Sequence, residues 1–169
     1  MRPAVEQSFF AALDAHKGIL SKVTRGYCRE AADREDLAQE IIVQLWRSYP
    51  RFDGRSKFST WMYKVALNVA ISYHRSEVVR NRYVITDADR LLDFAAPVEE
   101  ISPDVGRLYE YIEGLHALDR ALVLLYLDGH SHAEIAEVLG ITATNVATKI
   151  GRIKQSMQKQ LANRQASNV

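Results

Sequence analysis

Apolar residues recur at three- and four-residue intervals along most of this chain, and this spacing constrains the fold more than any other feature of the sequence. One such stripe contains Leu37, Ile41 and Leu45, and another begins with Trp61 and Val65. The alternation of apolar and polar residues that is typical of β-strands is nearly absent. Because a 3.6-residue period places these side chains on one face of a helix, the sequence predicts an all-α fold.

Charge is distributed unevenly along the 169 residues. Residues 1–85 carry a net charge of +5, residues 86–128 a net charge of −7 and residues 129–169 a net charge of +3. The helical period fades from residue 85 to about residue 104, in an acidic stretch that Pro97 and Pro103 interrupt. We therefore predict two small helical domains, at residues 1–85 and 107–169, joined by an acidic linker at residues 86–106. The basic ends favour contact with a polyanion.

Several classes of protein are excluded. Cys28 is the only cysteine, so neither an intrachain disulfide nor a Cys-x-x-Cys site can form. The longest apolar run, residues 121–127, is far shorter than the roughly 20 residues that span a bilayer, and the first residues do not resemble a signal peptide. We expect a soluble, cytoplasmic protein without membrane insertion. The sequence shows no nucleophile–base set, no paired carboxylates and no glycine-rich phosphate loop, so we predict no catalytic residue, cofactor or metal.

The sequence also predicts where several helices begin and end. Asp33 can cap the helix that carries Leu37, and Ser59 or Thr60 can cap the helix that carries Trp61. After the linker, one helix is expected to run from Leu108 to about residue 127 and to end before a glycine, Gly129.

Residues 132–153 have the pattern of a helix-turn-helix. Ser131 and Glu134 form a capping box, Gly140 can adopt the positive φ of the turn, and Thr142 can cap the last helix. Val146 and Ile150 would pack inward, and the residues left facing outward are Thr144, Asn145, Thr148, Lys149 and Arg152. Such polar and basic side chains suit base edges and phosphates in a major groove. A plain helical hairpin with a solvated face is the alternative.

Two further clusters lie in the first half. A polar face on the helix after Asp33 comprises Asp36, Gln39, Glu40 and Gln44. The second cluster interleaves basic, amide and aromatic side chains, namely Lys57, Trp61, Tyr63, Lys64, Asn68 and Arg75. A site for unpaired, single-stranded DNA needs cations that neutralise the phosphates and aromatic rings on which the bases can stack. For Trp61, a place in the core is favoured over a base contact.

These residues together resemble a known family. The run Asp36-Leu37-Ala38-Gln39-Glu40, followed by Leu45-Trp46, is similar to the D-L-x-Q-E…W signature of bacterial sigma-70 factors. The similarity continues through residues 58–68 (FSTWMYKVALN) and through Glu134-Ile135-Ala136 with Gly140-Ile141, which resemble that family's minus-35 helix-turn-helix. Two domains joined by a linker of about 20 residues resemble the extracytoplasmic-function (ECF) group.

The resemblance implies a function and a role for each cluster. An ECF factor binds core RNA polymerase, recognises minus-35 and minus-10 promoter elements and promotes DNA melting. By resemblance, Asp36, Leu37, Gln39, Glu40 and Gln44 dock on the clamp coiled coil of the largest polymerase subunit. Residues 58–75 correspond to the segment that melts the minus-10 element and captures a flipped base, and residues 144–152 to the minus-35 recognition helix. The acidic linker would thread near the RNA exit path, and an anti-sigma factor is an expected partner.

Two alternatives from other classes remain. A stand-alone helix-turn-helix regulator would explain residues 129–160 but would leave both N-terminal clusters without a role. A metal enzyme could use Asp128, His130, His132 and Glu134, although on a helix residues i and i+2 point about 200° apart. The recognition helix has Val146-Ala147-Thr148-Lys149 where many family members have Val-Lys-Ser-Arg, so the promoter sequence stays open.

Overall fold

A computed structural model describes residues 3–75 and 100–167 of the chain. Within these two ranges every regular element is a helix and no strand occurs, which confirms the predicted all-α fold. The helices are α1 (Pro3–Ala15), α2 (Lys17–Tyr27), α3 (Ala31–Ser48), α4 (Phe58–Arg75), α5 (Pro103–Glu113), α6 (Ala117–Leu127), α7 (His132–Leu139) and α8 (Ala143–Ser167), and a 3-10 turn (Tyr49–Arg51) follows α3. None of these helices has the length and apolar character that a bilayer-spanning segment requires.

The first four helices form one packed unit, in which α3 and α4 contact each other and α2. The predicted stripe on α3 is confirmed, since Leu37, Ile41 and Leu45 are completely buried. Burying each such side chain contributes about 1.5–3 kcal/mol, so this stripe holds α3 in place. On α4 the predicted stripe that begins with Trp61 is only partly buried. The fully buried face of α4 lies one residue further along the sequence than the predicted stripe, because α4 is also covered by the second half of the chain.

Two predicted helix starts in this unit are wrong. Helix α3 begins at Ala31, and Asp33 lies in its first turn, where its charge favours the helix dipole. Helix α4 begins at Phe58, so Ser59 and Thr60 are already helical.

The last four helices form the second unit, and it begins earlier than predicted. Ser102 accepts a hydrogen bond from the Val105 amide at 3.3 Å, and Pro103 occupies the first turn of α5, where proline is well tolerated. The end of the predicted linker is therefore helical, and its residues 86–99 lie outside the described part of the chain. The single helix predicted from Leu108 to residue 127 is two helices, separated at residues 114–116.

The predicted helix-turn-helix is confirmed in its local detail. Both hydrogen bonds of the capping box are present at Ser131 and Glu134. Gly140 ends α7 with a φ of 68°, the left-handed conformation that favours glycine. The Thr142 hydroxyl accepts from the Asn145 amide at 3.1 Å and so caps α8. These contacts fix the turn and set the direction of α8.

The two units also pack against each other. Helix α2 contacts α5 and α6, while α4 contacts α6 and α7. One continuous apolar cluster includes buried residues of both units, for example Leu20 and Leu122. This contact decides how the candidate binding residues are presented.

Candidate polymerase-docking and nucleic-acid interfaces

The polar face of α3 is accessible along its length. Gln39 and Glu40 are exposed, and Asp36 and Gln44 are partly buried at its edges. The Gln44 amide donates a hydrogen bond to the Glu40 carboxylate at 3.2 Å. Leu37, which was predicted with this face, points the other way and is completely buried. It therefore supports the face from the core, whereas the other four side chains can meet a partner.

A cluster of aromatic rings lies where the 3-10 turn meets α4. The ring of Trp61 is 5.0 Å from that of Phe52, 5.4 Å from that of Phe58 and 6.2 Å from that of Tyr49, measured between ring centroids. Trp61 is partly buried among them, which agrees with the favoured core role and still leaves part of the ring open. The preceding loop turns at Gly54, whose φ is 73°.

The polar members of the second cluster have different surroundings. Lys57, Lys64 and Asn68 are exposed and lie before or on α4. Tyr63 is completely buried, and its hydroxyl donates a hydrogen bond to Asp128 Oδ2 at 2.8 Å. Burial, with a smaller contribution from Asp128, raises the pKa of that phenol, so it stays a donor. Arg75 ends α4, and its side chain lies outside the described part of the chain.

Helix α8 presents most of its predicted contact residues to solvent. Thr144, Asn145, Thr148 and Arg152 are exposed, while Val146 and Ile150 are buried against the helices below. The Thr148 hydroxyl donates to the Thr144 carbonyl at 3.0 Å. These four side chains form the exposed α8 face.

Lys149 differs from its neighbours on α8. Its ammonium group lies 3.0 Å from Asp119 Oδ1 on α6, and the two side chains are only 30% and 22% exposed. The ion pair directs the lysine toward the body of the second unit. No spacing rule could have found Asp119, because it lies 30 residues away on another helix.

The four residues considered as metal ligands have other partners. They are Asp128, His130, His132 and Glu134. Asp128 accepts from Tyr63 and pairs with Lys22, while the His130 ring nitrogen Nδ1 lies 3.2 Å from the Leu125 carbonyl oxygen. Hydrogen bonds from the backbone and side chain of Ser131 lower the pKa of the Glu134 carboxyl. Among the residues that the structure describes, no three His, Cys, Asp or Glu side chains form a group that could hold a metal ion.

A compact helical unit with an open polar face is followed by a helix-turn-helix, an arrangement that is typical of DNA-binding proteins. Residues 12–79 match the family model described as sigma-70 region 2, and residues 106–157 match the model described as sigma-70, region 4. The chain therefore belongs to the sigma-70 family of RNA polymerase sigma factors and is of the ECF type.

Individual relatives are similar over nearly their whole length. The RNA polymerase sigma factor NccH of Alcaligenes xylosoxydans xylosoxydans is 23% identical over 95% of this chain and 90% of its own. The ECF RNA polymerase sigma factor SigW of Bacillus subtilis (strain 168) is 24% identical over 92% of this chain and 90% of its own. The sigma factor RpoE of Bartonella quintana, solved in complex with the anti-sigma factor NepR, has the same fold, with a TM-score of 0.64 and 18% identity over 93% of this chain and 96% of that chain.

Proposed function

We propose that this ECF sigma factor divides promoter recognition among three surfaces. The α3 polar face docks on core RNA polymerase, the aromatic cluster with α4 engages the minus-10 element, and the exposed α8 face binds the minus-35 element. The observation that carries this division is that each surface is open on a different helix of a two-unit fold. The domain limits that we propose are residues 1–85 and 107–169, with a linker at 86–106 whose last four residues already form the first turn of α5.

Two properties of α3 favour docking through this helix, namely the negative charge of its polar face and the buried stripe that holds it in place. Glu40 is exposed and Asp36 lies beside it, so the face is acidic and suits a basic partner surface. The buried stripe beneath, which includes Leu37, keeps the helix rigid, so little conformational freedom is lost on binding. The partner surface expected from the family is the clamp coiled coil of the largest subunit.

Minus-10 engagement combines the partly open rings of Phe52 and Trp61 with the exposed cations of Lys57 and Lys64. A base can stack on an aromatic ring only after it leaves the duplex, and a cation nearby neutralises its phosphate. The exposed amide of Asn68 provides both a donor and an acceptor for a flipped base.

Minus-35 binding uses the N-terminal half of α8. Helix-turn-helix proteins lay the second helix in the major groove with its N-terminal residues toward the bases. Thr144, Asn145, Thr148 and Arg152 meet this requirement, since they are exposed on consecutive turns. Lys149 would support the helix through Asp119 instead of contacting DNA.

The polymerase supplies the chemistry of RNA synthesis in this scheme, and the chain is not an enzyme. The chain would act in the cytoplasm, where bacterial transcription is initiated. An anti-sigma factor is a fitting partner, because the similar RpoE was solved with NepR bound. The acidic segment at residues 86–106 would lie near the RNA exit path, where its negative charge suits a basic channel.

Run-off transcription with core polymerase, with start sites mapped across a genome, tests the proposal. We expect specific starts that depend on the added chain and share two upstream elements. Glu40→Lys should strongly reduce their number and intensity, whereas Glu35→Lys, an equal charge reversal about 140° around the same helix, should not. Binding to a minus-35 duplex without any binding to core polymerase would instead indicate a stand-alone regulator.

A further inference from the structure

The turn between α1 and α2 lies beside the aromatic cluster to which the proposed function assigns the minus-10 element. His16 occupies this turn, and its ring centroid lies 5.2 Å from that of Phe58, with the two ring planes tilted by 50°. The Phe58 ring in turn lies 5.4 Å from that of Trp61 and 5.8 Å from that of Phe52. His16 therefore extends the cluster with a polar ring that comes from outside the 3-10 turn and α4.

One edge of the His16 ring is used by the turn itself. Its Nδ1 atom lies 2.8 Å from the carbonyl oxygen of Ala12 in the last turn of α1. A carbonyl oxygen can only accept a hydrogen bond, so Nδ1 carries a proton and donates it. The His16 amide donates to the Leu13 carbonyl at 3.1 Å, and the His16 carbonyl accepts from the Ile19 amide at 3.0 Å. The structural role of His16 is thus complete without its second ring nitrogen.

The second ring nitrogen, Nε2, is open to a ligand. The side chain of His16 is only partly buried, and no residue in the ranges 3–75 and 100–167 forms a hydrogen bond with Nε2. Within the same ranges every buried side-chain nitrogen or oxygen atom has a partner, so Nε2 must reach solvent. Because the proton of a neutral imidazole is held on Nδ1 here, Nε2 is an acceptor.

An acceptor at this place can distinguish one unpaired base from another. Adenine, cytosine and guanine each have an exocyclic amino group that donates hydrogen bonds, and thymine has none. The other groups nearby are less selective, since every base has a face that can stack on an aromatic ring. The exposed ammonium group of Lys57, one residue before Phe58, suits a phosphate, which is the same in every nucleotide. Nε2 of His16 is therefore the group beside Phe58 that can read a base edge.

We propose that His16 is a specificity-determining residue of the minus-10 surface, where its Nε2 accepts a hydrogen bond from the exocyclic amino group of an unpaired base. The base would stack on the open part of the cluster beside Phe58, which places the imidazole at its edge because the two rings are in contact. This role rests on the proposed function, since it requires unpaired DNA at the aromatic cluster. It gives the turn between α1 and α2 a direct part in reading the promoter.

Removal of single amino groups from the DNA, combined with removal of the acceptor from the protein, tests this contact. The assay uses holoenzyme assembled from core polymerase and the full-length chain. Fluorescence anisotropy measures its affinity for a single-stranded oligonucleotide that carries the minus-10 element found by run-off transcription. At one position at a time, purine replaces adenine, hypoxanthine replaces guanine or 2-pyrimidinone replaces cytosine, so that the exocyclic amino group is lost.

Two histidine variants form a matched pair. His16→Phe keeps an aromatic ring against Phe58 and removes the acceptor. His116→Phe is the control, because His116 also precedes a helix without capping it through its side chain. Thermal unfolding checks that each variant is folded. If His16→Phe is not, His16→Leu is the second variant, since leucine also lacks a ring nitrogen and is well tolerated at a helix end.

We expect one position at which loss of the amino group weakens binding to the wild-type holoenzyme by about fivefold to tenfold, the effect of one net hydrogen bond. His16→Phe should bind the unmodified oligonucleotide more weakly by a similar factor and should lose nothing further at that position. Such a cycle between protein and DNA isolates the contact from any effect of His16 on folding. His116→Phe should behave as wild type at every position.

The failure of this contact differs from the failure of the proposed function. If no amino deletion weakens wild-type binding, or if every deletion weakens wild type and His16→Phe equally, the role of His16 is overturned and the minus-10 role of the aromatic cluster stands. If the wild-type holoenzyme does not bind the single-stranded element at all, the proposed minus-10 function itself is wrong, and the base contact of His16 is overturned with it.

Discussion

Two basic residues of α8, one turn apart, should behave differently when each is replaced by alanine. Arg152 is exposed, whereas the Lys149 side chain is only partly exposed and its ammonium group lies 3.0 Å from Asp119 Oδ1. Loss of one phosphate contact reduces the slope of log K against log salt by about 0.9. We therefore expect Arg152→Ala to lower the salt slope for a minus-35 duplex by about this amount and to leave the melting temperature unchanged.

For Lys149→Ala we expect the reverse pattern. Exposed ion pairs contribute about 0.2–1 kcal/mol, and losing one partner of a fully buried pair costs about 3–5 kcal/mol. With side chains 30% and 22% exposed, this pair lies between those limits, and a loss of about 1–2 kcal/mol is expected. The melting temperature should fall by several degrees, while the salt slope stays at the wild-type value.

Fluorescence anisotropy at four or more salt concentrations, with thermal unfolding of the same samples, checks both expectations. A double-mutant cycle with Asp119→Ala should recover a coupling energy of about 1 kcal/mol for Lys149 and none for Arg152. If Lys149→Ala reduced the salt slope as much as Arg152→Ala and left stability unchanged, Lys149 would be a DNA contact and the structural role of its ion pair would be refuted.

The remaining predictions concern the other surfaces. Glu40→Lys should weaken core-polymerase binding by about 1–3 kcal/mol with an unchanged circular dichroism spectrum; unchanged affinity in a pulldown titration would contradict docking through α3. Asn68→Ala should impair open-complex formation in permanganate footprinting, and a pre-melted bubble should partly rescue it; normal melting of linear DNA would make Asn68 structural. The pKa of Glu134 is lowered by its bonds to Ser131, so its contribution to stability is present above the ordinary value of 4.5 and is lost as pH falls through the lowered pKa. The melting-temperature difference between wild type and Glu134→Gln should therefore shrink below pH 4.5, and a difference independent of pH would contradict this.

Features that depend on residues three or four apart were predictable from the sequence. The buried stripe from Leu37 to Leu45, the capping box at Ser131 and the left-handed Gly140 were all predicted and are all present. Each of these features depends on helical geometry within one or two turns. All the residues that interact to form it are therefore close together in the sequence, where their pattern can be recognised. The same holds for the resemblance to the sigma-70 family, which rests on short ordered motifs.

Helix limits were less predictable where distant side chains take part. The break between α5 and α6 is stabilised by Arg120, which donates to the carbonyls of Glu113 and Leu115 after the chain has turned. Neither propensity nor periodicity across residues 108–127 indicates that turn, because the capping group comes from the following helix.

The sequence by itself determined the helical class, the two-part organisation, the family and most of the exposed candidate residues, since all of these follow from local order. Only the tertiary structure decided that Tyr63 donates to Asp128 and that Lys149 pairs with Asp119. These partners lie 65 and 30 residues apart in the chain, and a hydrogen bond or ion pair over such a separation depends on how whole helices pack. Local sequence therefore determines the helix on which a candidate residue lies. The packing of whole helices then determines whether its side chain is exposed or is held by a distant partner.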